Sequence, residues 1–181
     1  MSSTEPAVRS LGKGKFLELV AIGNWELARR IRGSTPVGIV AVTPDGCIIL
    51  ISQFRVPVGK VIVEIPAGLV GDGDTDQDET WQTAAGRELR EETGYTATHF
   101  DLLTEGPTSA GLTSECIRLV SATGVSHAGD PTPEGDECIT VHVVPLATVE
   151  AFLTDQVAAG CLIDPKVYAA LYFASKTAPA S

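Results

Sequence analysis

Runs of β-branched residues, broken by turn-forming residues, fill most of the chain, and helical spacing of apolar positions shows in three places. Phe16–Ile22 and Trp25–Ile31 predict two strands about Gly23-Asn24, a pair suited to a tight hairpin. Val37–Val42 and Cys47–Phe54 predict two more, joined by Thr43-Pro44-Asp45-Gly46, where proline presets one turn torsion and glycine accepts a positive φ. Val61–Ile65 is a further strand, closed by Pro66-Ala67-Gly68, and others fall at His99–Leu103, Cys116–Ala122 and Ile139–Val144. Residues Met1–Gly14 are small and polar, which predicts a frayed arm. Gly129–Asp136, rich in proline, glycine and acid, predicts an exposed loop.

The first helical stretch runs from Glu79 to Thr93 and stops at Gly94, the residue type expected just past a helix end. Thr75 and Asp78 are spaced for a capping box ahead of it. A second follows Pro145 with Val149, Phe152 and Leu153 on one face, and a third spans Pro165–Lys176, aligning Val167, Ala170, Leu171 and Ala174. Strands, one helix, more strands and terminal helices predict a mixed α/β (α+β) sandwich, not a repeating βαβ unit. The division expected is an arm at 1–14, a strand pair at 15–34 and one domain at 35–178.

At 181 residues, 44% of them hydrophobic, the chain suffices for one buried core and not for two. The formal charge of −10, from 23 acidic against 13 basic residues, opposes binding to nucleic acid, and no Lys/Arg stripe interrupts it. No apolar run approaches the ~20 residues of a membrane span, and the first residues lack the apolar core of a signal peptide. Cys47, Cys116, Cys138 and Cys161 lie far apart, so they are expected to be buried hydrophobes in a reducing compartment. A cytoplasmic setting is the expectation. An acidic chain can still take an anionic substrate if its acids hold divalent cations, which invert the local field.

The acids cluster in Gly73–Tyr95. Gly73, Glu79, Arg87-Glu88, Glu91-Glu92 and Gly94 are its fixed points. Glu88, Glu91 and Glu92 stand at i, i+3 and i+4, within an arc of ~100° on one helix face. Carboxylates so close repel unless a cation sits among them, and hard oxygen donors suit Mg²⁺ or Mn²⁺. A solvated salt-laced helix, with Arg87 and Glu91 paired one turn apart, is the plain alternative. The spaced glycines and upstream glutamate exclude it, since the joint match falls below roughly one in a million by chance.

These residues fit G-x5-E-x7-R-E-U-x-E-E-x-G-U, with U apolar, at every fixed position, and the segment resembles the box of the Nudix hydrolase superfamily. Beyond the box the chain is similar to the ADP-ribose and ADP-sugar pyrophosphatase branch, at Trp25-Glu26, Gln53–Pro57, Glu64–Leu69, Gly111–Glu115 and Asp164–Tyr168. The resemblance implies an α/β/α sandwich with a mixed central sheet, preceded by a strand pair that serves dimerisation and base binding. It implies a Mg²⁺ enzyme, with Mn²⁺ able to substitute, in which Glu88 and Glu92 are the main ligands. Glu91 would assist, the Ala67 carbonyl would complete the set, Arg87 would orient the glutamates and Glu79 would brace the loop. A glutamate before the last strand would orient or deprotonate the water; Glu137 aligns better than Glu134.

The resemblance further implies that Trp25 stacks on the base across a homodimer with exchanged N-terminal strands; a core tryptophan is the alternative. Arg30 and Arg55 are candidates for the diphosphate or terminal ribose, and Leu69 and Ser109 for other substrate contacts. Ser109 stands where some ADP-sugar enzymes carry an acid, so the resemblance implies a sugar contact that is missing or different here, which leaves another NDP-sugar open as the preferred substrate. Trp81 is expected to pack, and His99, His127 and His142 to be structural. The implied reaction is hydrolysis of ADP-ribose to AMP and ribose 5-phosphate. The alternatives are GDP-mannose, UDP-glucose or, fitting least well, a damaged nucleoside triphosphate. A ligand sensor on the same fold would usually lack one of the paired glutamates, and here all are present.

Overall fold

Alternate positions of three strands feed two separate cores, and this sets the layering. In the computed structural model, which describes residues 7–31, 35–71, 78–133 and 138–177, those strands are β4 (Pro36–Ala41), β5 (Cys47–Arg55) and β10 (Cys116–Thr123). Val37, Ile39 and Ala41 of β4, Ile49 of β5 and Val120 and Ala122 of β10 pack on α1 (Trp81–Thr93) through Ala84, Ala85 and Leu89. The intervening residues, Val40, Ile48, Leu50, Ile117 and Leu119, face the opposite way. They meet Val149 and Leu153 of α2 (Val149–Ala158) and Val167, Ala170 and Ala174 of α3 (Pro165–Thr177). Strand period two thus yields an α/β/α sandwich, as the sequence predicts.

The other strands extend these layers. Before β4 come β1 (Val8–Lys13), β2 (Leu17–Ile22) and β3 (Trp25–Arg30), which form an antiparallel sheet of their own. After β5 follow β6 (Lys60–Glu64) and β7 (Ala67–Leu69), and after α1 come β8 (Tyr95–Thr96) and β9 (His99–Pro107). Beyond β10 lie β11 (Ser126–His127), β12 (Thr140–Pro145) and β13 (Leu162–Ile163). One four-stranded sheet has the order β7-β4-β10-β9, with β4 and β10 parallel; the other runs β12-β5-β6-β13, with β6 and β13 parallel. Both sheets are therefore mixed.

Three expectations change. Val8–Lys13 is no frayed arm: despite its polar composition it pairs along β2, from Val8 opposite Ile22 to Lys13 opposite Glu18. The first helix starts at Trp81, because the Thr80 hydroxyl accepts the Thr83 N–H at 3.2 Å and so caps it. Glu79 lies before the helix, and Gly73, Thr75, Glu134 and Glu137 lie outside the described residues. None of the cysteines is buried: Cys47 and Cys161 are partly covered and Cys116 and Cys138 exposed, all near element ends, and all four are free thiols. Trp81 packs against the α1 core as expected. Among the described residues no helix is long and apolar enough to cross a membrane.

His142 sits on β12 with its Nε2 2.9 Å from the Ser52 hydroxyl and its ring 5.1 Å from that of Phe152. Burial disfavours the imidazolium and lowers its pKa. The unfolded chain, where histidine titrates near ~6.5, then binds a proton the folded chain refuses, so stability falls as pH drops below that value. Urea unfolding between pH 7.5 and 5 should show this slope in the wild type and a shallower one in His142→Gln.

Candidate active site

Local geometry brings the acidic face of α1 against the backbone of β7. The Ala67 N–H donates to Glu92 Oε2 at 2.9 Å. Gly68 lies so close to the Glu88 carboxyl that a Cβ there would stand 1.8 Å from its Cδ. Only a residue without a side chain lets strand and carboxylate share that space. Glu88 and Glu92 are buried and Glu91 is partly so.

Arg87 fastens this arrangement. Its Nε and Nη2 donate to the two oxygens of Glu79 at 3.1 and 3.3 Å, and Nη2 also reaches the Leu69 carbonyl at 3.1 Å. Its Nη1 donates to Glu88 Oε1 at 2.8 Å and to Glu91 Oε2 at 3.3 Å. Glu79, with its side chain only 4% exposed, accepts the Gly71 N–H at 2.9 Å as well. Burial pushes the Glu79 carboxyl upward, but the bonds from Arg87 and Gly71 outweigh it and hold the group below its ordinary range. Burial likewise works against the Arg87 cation, and the carboxylates of Glu79 and Glu88 overcome it, so the guanidinium stays charged throughout.

These groups open on a cavity of about 360 Å³. Ala67, Leu69, Arg87, Glu88, Glu91 and Glu92 line it, together with Arg30 and Arg55. Arg30 arrives from β3 because the N-terminal sheet is tied to the loop after β9: the Ala28 N–H donates to the Leu112 carbonyl at 2.9 Å. Of the sequence candidates, Trp25 and Ser109 do not line the cavity. Trp25 is 66% exposed on β3, so it is not a core tryptophan, and the Ser109 carbonyl accepts the Leu112 and Thr113 N–H groups in a surface turn.

The sequence assigned no role to three charged residues of the lining, Glu64, Glu115 and Lys166. Glu64 pairs with Arg55 at 2.7 Å, Glu115 with Arg30 at 2.6 Å, and Lys166 with Asp164, which also accepts the Lys166 N–H at 2.7 Å at the start of α3. The signal for Glu64 was a charge closing the apolar run Val61–Val63, where a solvated acid has no place. Every cation of the cavity thus has a carboxylate partner. Among the described residues, no three His, Cys, Asp or Glu side chains converge closely enough in this arrangement to enclose a metal ion. The donor chemistry nevertheless fits one: hard carboxylate oxygens from a single helix face reach the same cavity.

An α/β/α sandwich that turns an acidic helix face into a cavity shared with paired arginines and a lysine is the class that fold and site define. The family model of the NUDIX domain matches residues 34–164, and the chain belongs to that family. It is 36% identical over 113 residues to a Bacillus subtilis protein named ADP-ribose pyrophosphatase, covering 61% of this chain and 58% of that one. It is also 36% identical over 109 residues to a Bacillus methanolicus protein named methanol dehydrogenase activator, covering 59% and 56%. The chain spans about half the length of the curated relatives it matches. A crystal structure of an ADP compounds hydrolase superposes with a TM-score of 0.65 over 85% of each chain, at 21% identity, a likeness of fold.

Removing the Glu79 carboxylate leaves Arg87 without its two-pronged partner and Gly71 without an acceptor. Glu79→Ala should lower stability by about 2–4 kcal/mol, measured by urea unfolding at neutral pH.

Proposed function

We propose that the chain is a Mg²⁺-dependent diphosphatase of a nucleoside diphosphate sugar, with ADP-ribose as first choice. Water adds to one phosphorus, the bridging P–O bond breaks, and AMP and ribose 5-phosphate leave. The observation that carries the reading is the meeting of Glu88, Glu91 and Glu92 with Arg30, Arg55 and Lys166 around one cavity. The name of the Bacillus subtilis relative supports the choice of ADP-ribose.

Glu88, Glu91 and Glu92 would hold the ion, with the Ala67 carbonyl as a further donor. When bound, Mg²⁺ supplies charge neutralisation on the diphosphate and polarises the attacking water. Arg87 keeps the glutamates oriented, since its planar fork serves several oxygens at once. Arg30 and Arg55 present guanidinium forks to phosphate oxygens. Glu137, before Glu134, remains the sequence candidate for positioning the water.

A homodimer belongs to the same proposal. Phe16, Leu17, Leu19 and Trp25 are large apolar residues exposed on or beside the N-terminal sheet, and a second copy would cover them and bring Trp25 toward a base. Light scattering should give about twice the 18.9 kDa of one chain, and a mass equal to one chain overturns the dimer.

The decisive test is a Mg²⁺ panel of ADP-ribose, ADP-glucose, UDP-glucose, GDP-mannose and deoxynucleoside triphosphates. ADP-ribose should lead in kcat/KM by about tenfold or more, ~1.4 kcal/mol in transition-state binding. A lead by another sugar nucleotide keeps the chemistry and overturns the choice. Glu92→Gln, which retains an acceptor for the Ala67 N–H, should stay folded and lose about a hundredfold or more in kcat. Near-normal turnover in that variant would sink the metal assignment.

A further inference from the structure

The last carbonyls of a helix need donors beyond its own ladder; at α1 the Gly94 cap N–H serves the Arg90 carbonyl, and a passing segment serves Glu91 and the cap itself. The Thr132 N–H donates to the Glu91 carbonyl at 2.8 Å, and the Ala128 N–H to the Gly94 carbonyl at 2.8 Å. From the side, Arg90 Nη1 donates to the Asp130 carbonyl at 2.9 Å. The crossing has no room for a side chain at Gly94, whose Cβ would lie 2.0 Å from the Gly129 oxygen, and little at Gly129, whose Cβ would lie 3.3 Å from Arg90 Nη2. Both glycines have positive φ, 76° and 136°. Pro133, which follows Thr132, lines the cavity, and Glu91, whose carbonyl holds the Thr132 N–H, lines it as well.

We propose that Arg90 is a positioning residue: by clamping the Asp130 carbonyl it fixes where Pro133 stands in the wall of the cavity that the carboxylates of α1 share. Arg90 itself does not line the cavity. It occupies the one free position between the apolar residue and the paired glutamates of the box, so the motif does not require it. A cation near a helix C-terminus also favours the helix dipole, but that role would alter stability and leave the rate alone. The clamp fixes the wall to which the reacting groups are referred, and displacement of a wall by ~1 Å is enough to cost rate. Its effect on rate rests on the diphosphatase reading, whereas the clamp itself does not.

The test compares wild type, Arg90→Met and Arg90→Lys by hydrogen exchange at the Thr132 amide and by steady-state kinetics on ADP-ribose with Mg²⁺. Arg90→Met should exchange faster at Thr132 and lose about tenfold in kcat, with KM held within about twofold, because the clamp orients and does not bind. Arg90→Lys, whose ammonium can donate to the same carbonyl, should recover most of both. Unchanged protection at Thr132 in Arg90→Met overturns the clamp, and faster exchange with unchanged kcat overturns its role in positioning. If the wild type hydrolyses none of the panel substrates, the diphosphatase reading falls, and the clamp is decided by the exchange at Thr132 alone.

Discussion

Carboxylates spaced within two turns of one helix repel one another, and Glu88, Glu91 and Glu92 stand together here because the Arg87 guanidinium is placed beside them. That one group bonds to Glu88, Glu91, Glu79 and the Leu69 carbonyl. It therefore ties the acidic face of α1 both to the chain that enters the helix and to the β7 backbone beneath it. A lysine could carry the charge but has no planar fork with which to hold so many directions at once. Everything else in the site is measured from this point: the close approach of Gly68 to Glu88, the Ala67 N–H on Glu92, and the face of the cavity they form.

The layering of the sandwich was legible because strand and helix periods are strong physical signals. Val37–Val42 stood out as a β-branched run, although a strand buried on both faces does not show in sequence which residues feed which core, and Val167, Ala170 and Ala174 were aligned by helical spacing. The charged face of α1 was legible for the same reason, since i, i+3 and i+4 bring side chains together without help from the rest of the fold. What escaped depends on contacts distant in sequence. Glu115 gains its meaning from Arg30, 85 residues away, and Glu64 from a strand turn that returns Arg55 to it. The strand at Val8–Lys13 escaped because its pairing is bought by the backbone ladder with β2, while its own composition is polar. The helix start moved for a local reason: Thr80 caps as well as Thr75 does on paper, and the bond to Thr83 decides between them.

The loops divide in a comparable way. Thr43–Gly46 follows from its own residues, with the Gly46 N–H returned to the Thr43 carbonyl at 2.9 Å. The segment at 128–132 looks in sequence like any exposed acidic loop, yet it is pinned to α1 because a helix end leaves carbonyls to be satisfied. Its composition says nothing of this, since the donors are backbone N–H groups that every residue but proline carries.

The pairing of the cavity's cations has a consequence for what the protein ignores. Arg30, Arg55, Arg87 and Lys166 each rest against a carboxylate, so the cavity is not an open sink for negative charge. A lone chloride or inorganic phosphate entering beside Arg55 would have to draw it away from Glu64, whose side chain is only 10% exposed, and strand that acid in a poorly hydrated place. Such an exchange gains one contact and forfeits another. A guest that spans two guanidiniums and brings its own counter-cation can replace several pairs at once and leave no acid abandoned. Discrimination against small free anions is thereby built into the resting state of the site, as a threshold on size and valence rather than a fit to any one contour.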